Sequence, residues 1–231
     1  MDHRIGAVSG FEGIEAVTFD VGGTLINPWP SVGDIYVEVA NQFGVEASPD
    51  FINWNFKDAW KSRHNFDYTQ EAWFDIVRES FGVQGAELPD EFFPAVYQRF
   101  AEPDVWIVFG DVVRTLEDLA ARELKLGIVS NWDDRLIPLL DRLGLKKYFD
   151  SIIVSCNVGF TKPSPVIFEQ AIRWLKVEPQ QMLHIGDSPK EDGEGAKTAG
   201  VNCRLVARGR KIAQENEISS LLDVPKLVGE P

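Results

Sequence analysis

A chain of 231 residues is longer than a minimal domain and short for two full ones, so a single core carrying a sizeable insertion is expected. Hydrophobic residues make up 44% and charged residues 26%, an ordinary globular balance. The net charge of −13 repels nucleic acid and anionic lipid, which excludes both as expected partners and leaves an anionic substrate in need of a metal ion or a lysine.

No stretch approaches the roughly 18 apolar residues of a membrane span, and the N-terminal MDHRIGAVSGFEG has no apolar leader core. A cytoplasmic protein is therefore expected. Cys156 and Cys203 form no CxxC pair and read as reduced, buried small hydrophobes.

In chain order, Ile14 to Asp20 (IEAVTFD) is a short β-branched and aromatic run that predicts a strand, broken by Gly22-Gly23. Residues 28–103 read as helical. Val32, Ile35, Tyr36, Val39 and Phe43 recur at three- and four-residue steps, and Gly44 closes that helix. Residues 51–60, 70–81 and 91–100 are further amphipathic segments. Trp29, Trp54, Trp60 and Trp73 fall among them and are expected to fill the core of a small helical bundle.

From Val105 onward the pattern alternates. Helices are predicted over 111–122, 133–143, 165–175 and 189–199, and strands over 124–130, 151–155, 181–185 and 202–207. Such alternation implies right-handed βαβ crossovers and a parallel sheet. The predicted fold is α/β: a Rossmann-like three-layer core with a five-stranded parallel sheet over 14–27 and 104–231, and a helical cap inserted at 28–103.

Open α/β sheets bind ligands at the carboxyl ends of their strands. The residues there are Asp20, Ser130 with Asn131, Cys156, and Gly186 with Asp187, and Lys162-Pro163 lies in the loop after the third strand. An Asp, a hydroxyl with an amide, a lysine and a second Asp suit phosphoryl transfer, which needs a nucleophile, donors for the phosphoryl oxygens and a divalent cation. Asp20-Val21-Gly22-Gly23-Thr24 also fits a sugar-kinase phosphate loop. That reading leaves Ser130, Lys162 and Asp187 unexplained, and neither a second phosphate loop nor a glycine-rich adenosine site follows.

Four motifs in order resemble the haloacid dehalogenase-like hydrolase superfamily over essentially the whole chain. They are Asp20-Val21-Gly22-Gly23-Thr24; Ser130 in IVSN; Lys162 in GFTKPSPVIF; and Gly186-Asp187-Ser188 with Asp192 in HIGDSPKEDGEGAKTAG. The resemblance implies that Asp20 is the nucleophile, forming an aspartyl-phosphate. Ser130 would hydrogen-bond the phosphoryl group with help from backbone amides near Asn131, and Lys162 would neutralise charge on Asp20 and substrate. Asp20 and Asp187 would hold Mg²⁺, with the Gly22 carbonyl and a supporting or water-mediated Asp192. Gly23 and Thr24 shape the turn and join Ser130, Asn131 and Lys162 as expected substrate contacts. Asp192 has a second reading as a first-turn helix charge, worth roughly 0.3–1 kcal/mol. His184 reads as a core residue and His64 as a surface residue of the cap.

One position departs from the resemblance. Family phosphatases carry a second aspartate two residues after the nucleophile, which protonates the leaving group and then activates water; here that residue is Gly22. General acid–base help is worth roughly 10²–10⁴ in rate. The open readings are a Mg²⁺-dependent phosphohydrolase of a small phosphorylated metabolite that favours good leaving groups, one with an acid from elsewhere such as His64, a phosphonate hydrolase using Lys57 or Lys61, a dehalogenase, and a non-catalytic metabolite- or protein-binding relative. Monomer and homodimer both remain open.

Overall fold

Strand β1 (Ala16–Phe19) is buried at every position, and its Ala, Val, Thr and Phe suit a strand covered on both faces. In the computed structural model, which describes residues 10–63 and 66–229, this strand lies near the middle of a parallel sheet. His64 lies outside the described residues.

The elements that follow are β2 (Ile26–Pro28), α1 (Val32–Gln42), α2 (Pro49–Ser62), α3 (Gln70–Ser80), α4 (Phe92–Arg99) and β3 (Trp106–Val108). Then come α5 (Val112–Ala121), β4 (Lys125–Ser130), α6 (Leu136–Arg142), β5 (Ser151–Val154), α7 (Ser155–Val158) and α8 (Pro165–Leu175). The chain closes with β6 (Met182–Gly186), α9 (Gly195–Thr198), β7 (Asn202–Val206), β8 (Glu217–Ile218) and α10 (Val224–Leu227). Local chemistry sets several boundaries. Ser31 and Thr69 accept the Asp34 and Ala72 backbone N–H groups at the starts of α1 and α3. Gly159 ends α7 in the left-handed conformation.

The chain divides into two compact units. One comprises the chain up to Leu25, residues 108–131, and the chain from Leu145 onward. It is an α/β Rossmann-like unit with strand order β5-β4-β1-β6-β7-β8, every neighbouring pair parallel. Phe19 aligns with Ile128 on one side and Ile185 on the other, which brings the ends of β1, β4 and β6 to one level. Helix α8 buries Ile167, Phe168 and Ala171 in a core shared with Val129, Ile153 and Met182.

The sheet has six strands rather than the five predicted. The sixth, β8, has two residues, pairing Glu217 with Leu205 and Ile218 with Val206. It carries no apolar run for a sequence pattern to detect. Glu217 is buried, and its carboxylate accepts from Arg210, Ala213 N and Gln214 N. These donors, the Arg210 guanidinium first, pull its pKa down to about 2.

Residues 189–199 are not one regular helix. A π-helical turn over Pro189–Glu194 precedes the short α9, a form often found at functional sites. Cys156 is exposed, not buried as expected, and Cys203 is half-buried; both are free thiols. No helix among the described residues is long and apolar enough to cross a membrane.

The second unit comprises Ile26–Ile107 and Trp132–Gly144. Tyr36, Val39, Ile52, Val77, Phe81 and Phe92 form its core. The four tryptophans do not share one fate. Trp60 and Trp73 stack with centroids 5.6 Å apart in a cluster with Phe66 and Tyr68. Trp29 and Trp54 are exposed. Segment 132–144, placed with the sheet core at the sequence level, clusters here instead. Asp133 accepts from Trp73 Nε1 at 2.9 Å, and Arg135 donates to the Tyr97 carbonyl at 2.6 Å while its guanidinium lies 3.4 Å from that ring's centroid. Asp133 also binds the Arg135 backbone and guanidinium, so α6 begins at Leu136 rather than at Asp133.

Within the sheet unit, Asp111 gathers the C-terminal chain. It accepts from Arg208 at 2.9 and 2.8 Å, from Ser220 Oγ at 2.8 Å and from Leu221 N at 2.8 Å. Asp111→Ala is expected to destabilise the protein by about 2–3 kcal/mol, the scale of a lost charge-assisted network, read as a lower urea midpoint. Glu217 is ionised in the folded state to about pH 2, whereas the unfolded chain takes up the proton near pH 4.3. Its contribution is therefore present above about pH 4.3 and is lost as pH falls toward 2. Urea titrations at pH 6 and pH 3 should show a smaller acid loss for Glu217→Gln than for wild type.

Candidate functional site

Three strand ends converge in the sheet unit. Asp20 directly follows β1 and stays on the ladder, its N–H donating to Ile185 O at 2.8 Å. Ser130 is the last residue of β4, and Asp187 directly follows β6. Because β1 lies between β4 and β6, Asp20 stands between the other two, at the end of the sheet where α/β proteins place ligands. Lys162 enters from the loop between α7 and α8.

The Asp20 carboxylate is buried. Its Oδ1 accepts from Ser130 Oγ at 2.8 Å and from Lys162 Nζ at 2.7 Å. Both donors take the same oxygen, which leaves Oδ2 as the atom they do not engage. The Lys162 ammonium also donates to Asp192 Oδ1 at 2.6 Å. Asp192 Oδ1 meets His184 Nε2 at 3.0 Å, and Asp192 Oδ2 accepts from Ser188 N at 2.9 Å.

The electrostatics follow from this packing. Burial raises the Asp20 pKa, opposed by Lys162 and reinforced by Asp192. Burial works in the same direction on Asp192, but Lys162 and His184 outweigh it and hold that carboxyl well below the ordinary range. Burial would lower Lys162, yet the Asp192 and Asp20 carboxylates raise it, so it is an ammonium. Asp187 is pushed up to about 7 by burial and then by the charges of Asp20 and Asp192.

Carboxylate oxygens of Asp20, Asp187 and Asp192 lie within 4.8 Å of one another. Hard oxygen donors in such a group fit a divalent cation of the Mg²⁺ or Ca²⁺ type. The raised Asp187 pKa fits the same role, since like charges crowded together call for a counter-cation.

The turn after Asp20 is tightly determined. Gly23 has φ +77°, and a Cβ there would lie 2.6 Å from Asp187 Oδ2, so only glycine lets this turn pass Asp187. Thr24 is fully buried, and its hydroxyl has no hydrogen-bond partner among the described residues. Its side chain is enclosed by the surrounding protein. Its carbonyl accepts from Arg208 at 2.7 Å, which ties the turn to Asp111. Gly22 is half-buried and is not among the glycines with positive φ, so its backbone conformation is open to a side chain.

Asn131 is nearly buried, and its side chain clamps the Lys162 backbone. Oδ1 accepts from Lys162 N at 2.6 Å, and Nδ2 donates to Lys162 O at 3.0 Å. Expected as a neighbour of the substrate, it is seen here holding the lysine loop. Lys57 and Lys61 are exposed on α2.

Two further residues lie at the site: His184, expected as a core residue, and Glu191, not among the expected site residues. His184 is completely buried in β6 and touches Asp192. Its signal is its position in β6, three residues before Asp187 at that strand's end. Glu191 is half-buried, with a pKa pushed up to about 6 by burial, against the pull of Lys162 and with a hydrogen bond to Asn131. Its signal was its place next to Asp192 in PKED.

A family model for haloacid dehalogenase-like hydrolases matches residues 14–200. Haloacid dehalogenase-like hydrolase domain-containing protein 3 of Bos taurus is 33% identical over 206 residues, covering 84% of this chain and 82% of the relative. The rhythmically expressed gene 2 protein of Drosophila melanogaster is 30% identical over 247 residues, covering 93% and 95%. Among solved structures, a haloacid dehalogenase-type phosphatase from Thermococcus onnurineus matches with a TM-score of 0.68 and 27% identity, covering 92% of this chain and 97% of its own. The L-2-haloacid dehalogenase of Xanthobacter autotrophicus matches with a TM-score of 0.72 at 22% identity, covering 93% and 98%, a likeness of fold. A match that runs from β1 past β6, with relatives a third identical over most of both chains, leads to one assignment: the chain belongs to the haloacid dehalogenase-like hydrolase family.

Proposed function

We propose that this chain is a Mg²⁺-dependent phosphohydrolase that acts on a small phosphorylated metabolite through an aspartyl-phosphate on Asp20. The observation that carries the reading is the Asp20 carboxylate itself. Ser130 and Lys162 both hold Oδ1, orienting Oδ2 for attack, and two further carboxylates flank it. Asp20 Oδ2 forms a bond to phosphorus as the bond to the leaving oxygen breaks. The leaving group departs with the electron pair. Water then attacks the phosphoryl group, and the P–O bond to Asp20 breaks, releasing phosphate and regenerating the carboxylate.

Lys162 offsets negative charge at Asp20 and, with Ser130, supplies donors suited to phosphoryl oxygens. Asp20, Asp187 and Asp192, with the Gly22 carbonyl, would hold Mg²⁺, which supplies charge neutralisation when bound. The net charge of −13 disfavours nucleic acid and an anionic membrane, so a small anionic substrate would be met locally by the lysine and the metal. Monomer and homodimer suit this chemistry equally.

Gly22 supplies no proton to the leaving group, so phosphate compounds with good leaving groups are the better substrates. The same glycine favours a second reading, displacement of halide from carbon, because halide needs no acid. The carboxylate trio weighs for the first.

Phosphate release from acetyl phosphate and p-nitrophenyl phosphate should require Mg²⁺ and fall at least about 10³-fold in Asp20→Asn, given the losses typical of a removed nucleophile. Gly22→Asp should gain roughly 10²–10⁴-fold on an alkyl phosphate, the usual worth of general acid–base catalysis. Equal silence of wild type and both variants would sink the reading, and chloride release from L-2-chloropropionate would move the second one forward.

The Asp187 pKa of about 7 sets a pH window. The folded metal-free protein retains this proton up to about pH 7, while the unfolded chain loses it near pH 3.9. The folded state then binds more protons, so this group's contribution to stability falls as pH rises from about 4 to about 7. Asp187→Asn should remove that loss. Mg²⁺ binding should release protons near pH 6, fading above about pH 8, as read by calorimetry in buffers of different ionisation enthalpy.

A further inference from the structure

The buried ring of His184 plays no part in the chemistry above, yet both its nitrogens are engaged. Parallel register aligns His184 on β6 with Thr18 on β1. Thr18 Oγ1 lies 3.0 Å from Nδ1, and Asp192 Oδ1 lies 3.0 Å from Nε2. Phe168 packs edge-on to the ring, with centroids 5.0 Å apart and planes at 87°. The ring is therefore fixed in position by Phe168 and in rotation by Thr18.

The hydrogen bonds form one continuous line. From Thr18 it passes through His184 to Asp192, then through Lys162 Nζ to Asp20 Oδ1, at 3.0, 3.0, 2.6 and 2.7 Å. A carboxylate only accepts, so Nε2 carries a hydrogen; in the neutral ring Nδ1 is then the acceptor and the Thr18 hydroxyl donates. An apolar residue would fill the same space and leave Asp192 Oδ1 with the lysine alone.

We propose that His184 is a positioning residue: its Nε2–H, locked by Thr18, fixes the Asp192 carboxylate and thereby sets the Lys162 ammonium on Asp20. The effect on turnover rests on the phosphohydrolase reading; the hydrogen-bond line does not. Outer-shell partners that orient charged groups in this way are generally worth roughly 10–100-fold in activity.

The test compares wild type, His184→Phe, His184→Gln and Thr18→Val, each checked for folding by circular dichroism. On p-nitrophenyl phosphate with Mg²⁺, His184→Phe should lower kcat roughly 10–100-fold with KM changed less than about threefold. His184→Gln, whose amide nitrogen stands in for Nε2, should recover most of that loss. Equal kcat in the Phe and Gln variants would overturn the proposal.

A second readout does not need activity. In ¹⁵N-histidine-labelled wild type, the His184 signals should show hydrogen on Nε2 and none on Nδ1. Thr18→Val should make the Nδ1–H form accessible. In ¹⁵N-lysine-labelled protein, the Lys162 ammonium signal should move in His184→Phe and stay near its wild-type place in His184→Gln. A wild-type Nδ1–H tautomer, or a Lys162 signal indifferent to both substitutions, would overturn the proposal. If wild type releases no phosphate while these signals behave as expected, the phosphohydrolase reading fails and the positioning role stands. Where His184→Phe fails to fold, the His184 signals of wild type and Thr18→Val still decide the tautomer.

Discussion

One buried ammonium shared by two carboxylates is the contact around which the site is organised. Lys162 Nζ lies 2.7 Å from Asp20 and 2.6 Å from Asp192, and both carboxylates are buried. An unpaired charge in such surroundings is strongly unfavourable, and one cation does not cancel two anions. The neighbourhood supplies the remainder as hydrogen bonds: Ser130 to Asp20, Ser188 N and His184 to Asp192. What is left over is net negative charge with Asp187 beside it, and that is the physical basis for reading the group as a cation site.

The backbone is shaped to make this arrangement possible. A Cβ on Gly186 would fall 2.1 Å from Asp192 Cγ, so a side chain there would displace the carboxylate that holds the lysine. The turn after Asp20 has a second support at a distance. Arg208 donates to the Thr24 carbonyl and is itself held by Asp111, which also binds Ser220 and Leu221. Asn131 supports the opposite side by gripping the Lys162 backbone. Three separate segments thus fix Asp20, the Lys162 ammonium and the turn after Asp20.

The family fold and the charged group are in place, but the turn has no ionisable side chain two residues after Asp20. In the reaction we propose, a nucleophile with its cation and donors still lowers the barrier to attack on phosphorus, because those terms act on the entering group and the phosphoryl oxygens. Departure of a poor leaving group depends on a separate term, proton transfer, which this turn does not provide.

The sequence by itself determined the α/β alternation, the strand that presents Asp20, and the order Asp20, Ser130, Lys162, Asp187, because strand ends and glycine turns are short-range signals. Helix α8 was legible residue for residue, with its starting proline and periodic apolar face. The two-residue β8 was not, since it exists only through pairing with β7. Residues 132–144 had helical periodicity but no signal of which unit they join; the Asp133–Trp73 and Arg135–Tyr97 contacts decided that. Likewise His184 and Asn131 looked like a core residue and a substrate neighbour. Only the parallel register and the loop carrying Lys162 brought one ring to Thr18 and one amide to the lysine backbone, because contacts across 166 and 31 positions are set by packing and not by neighbours in the chain.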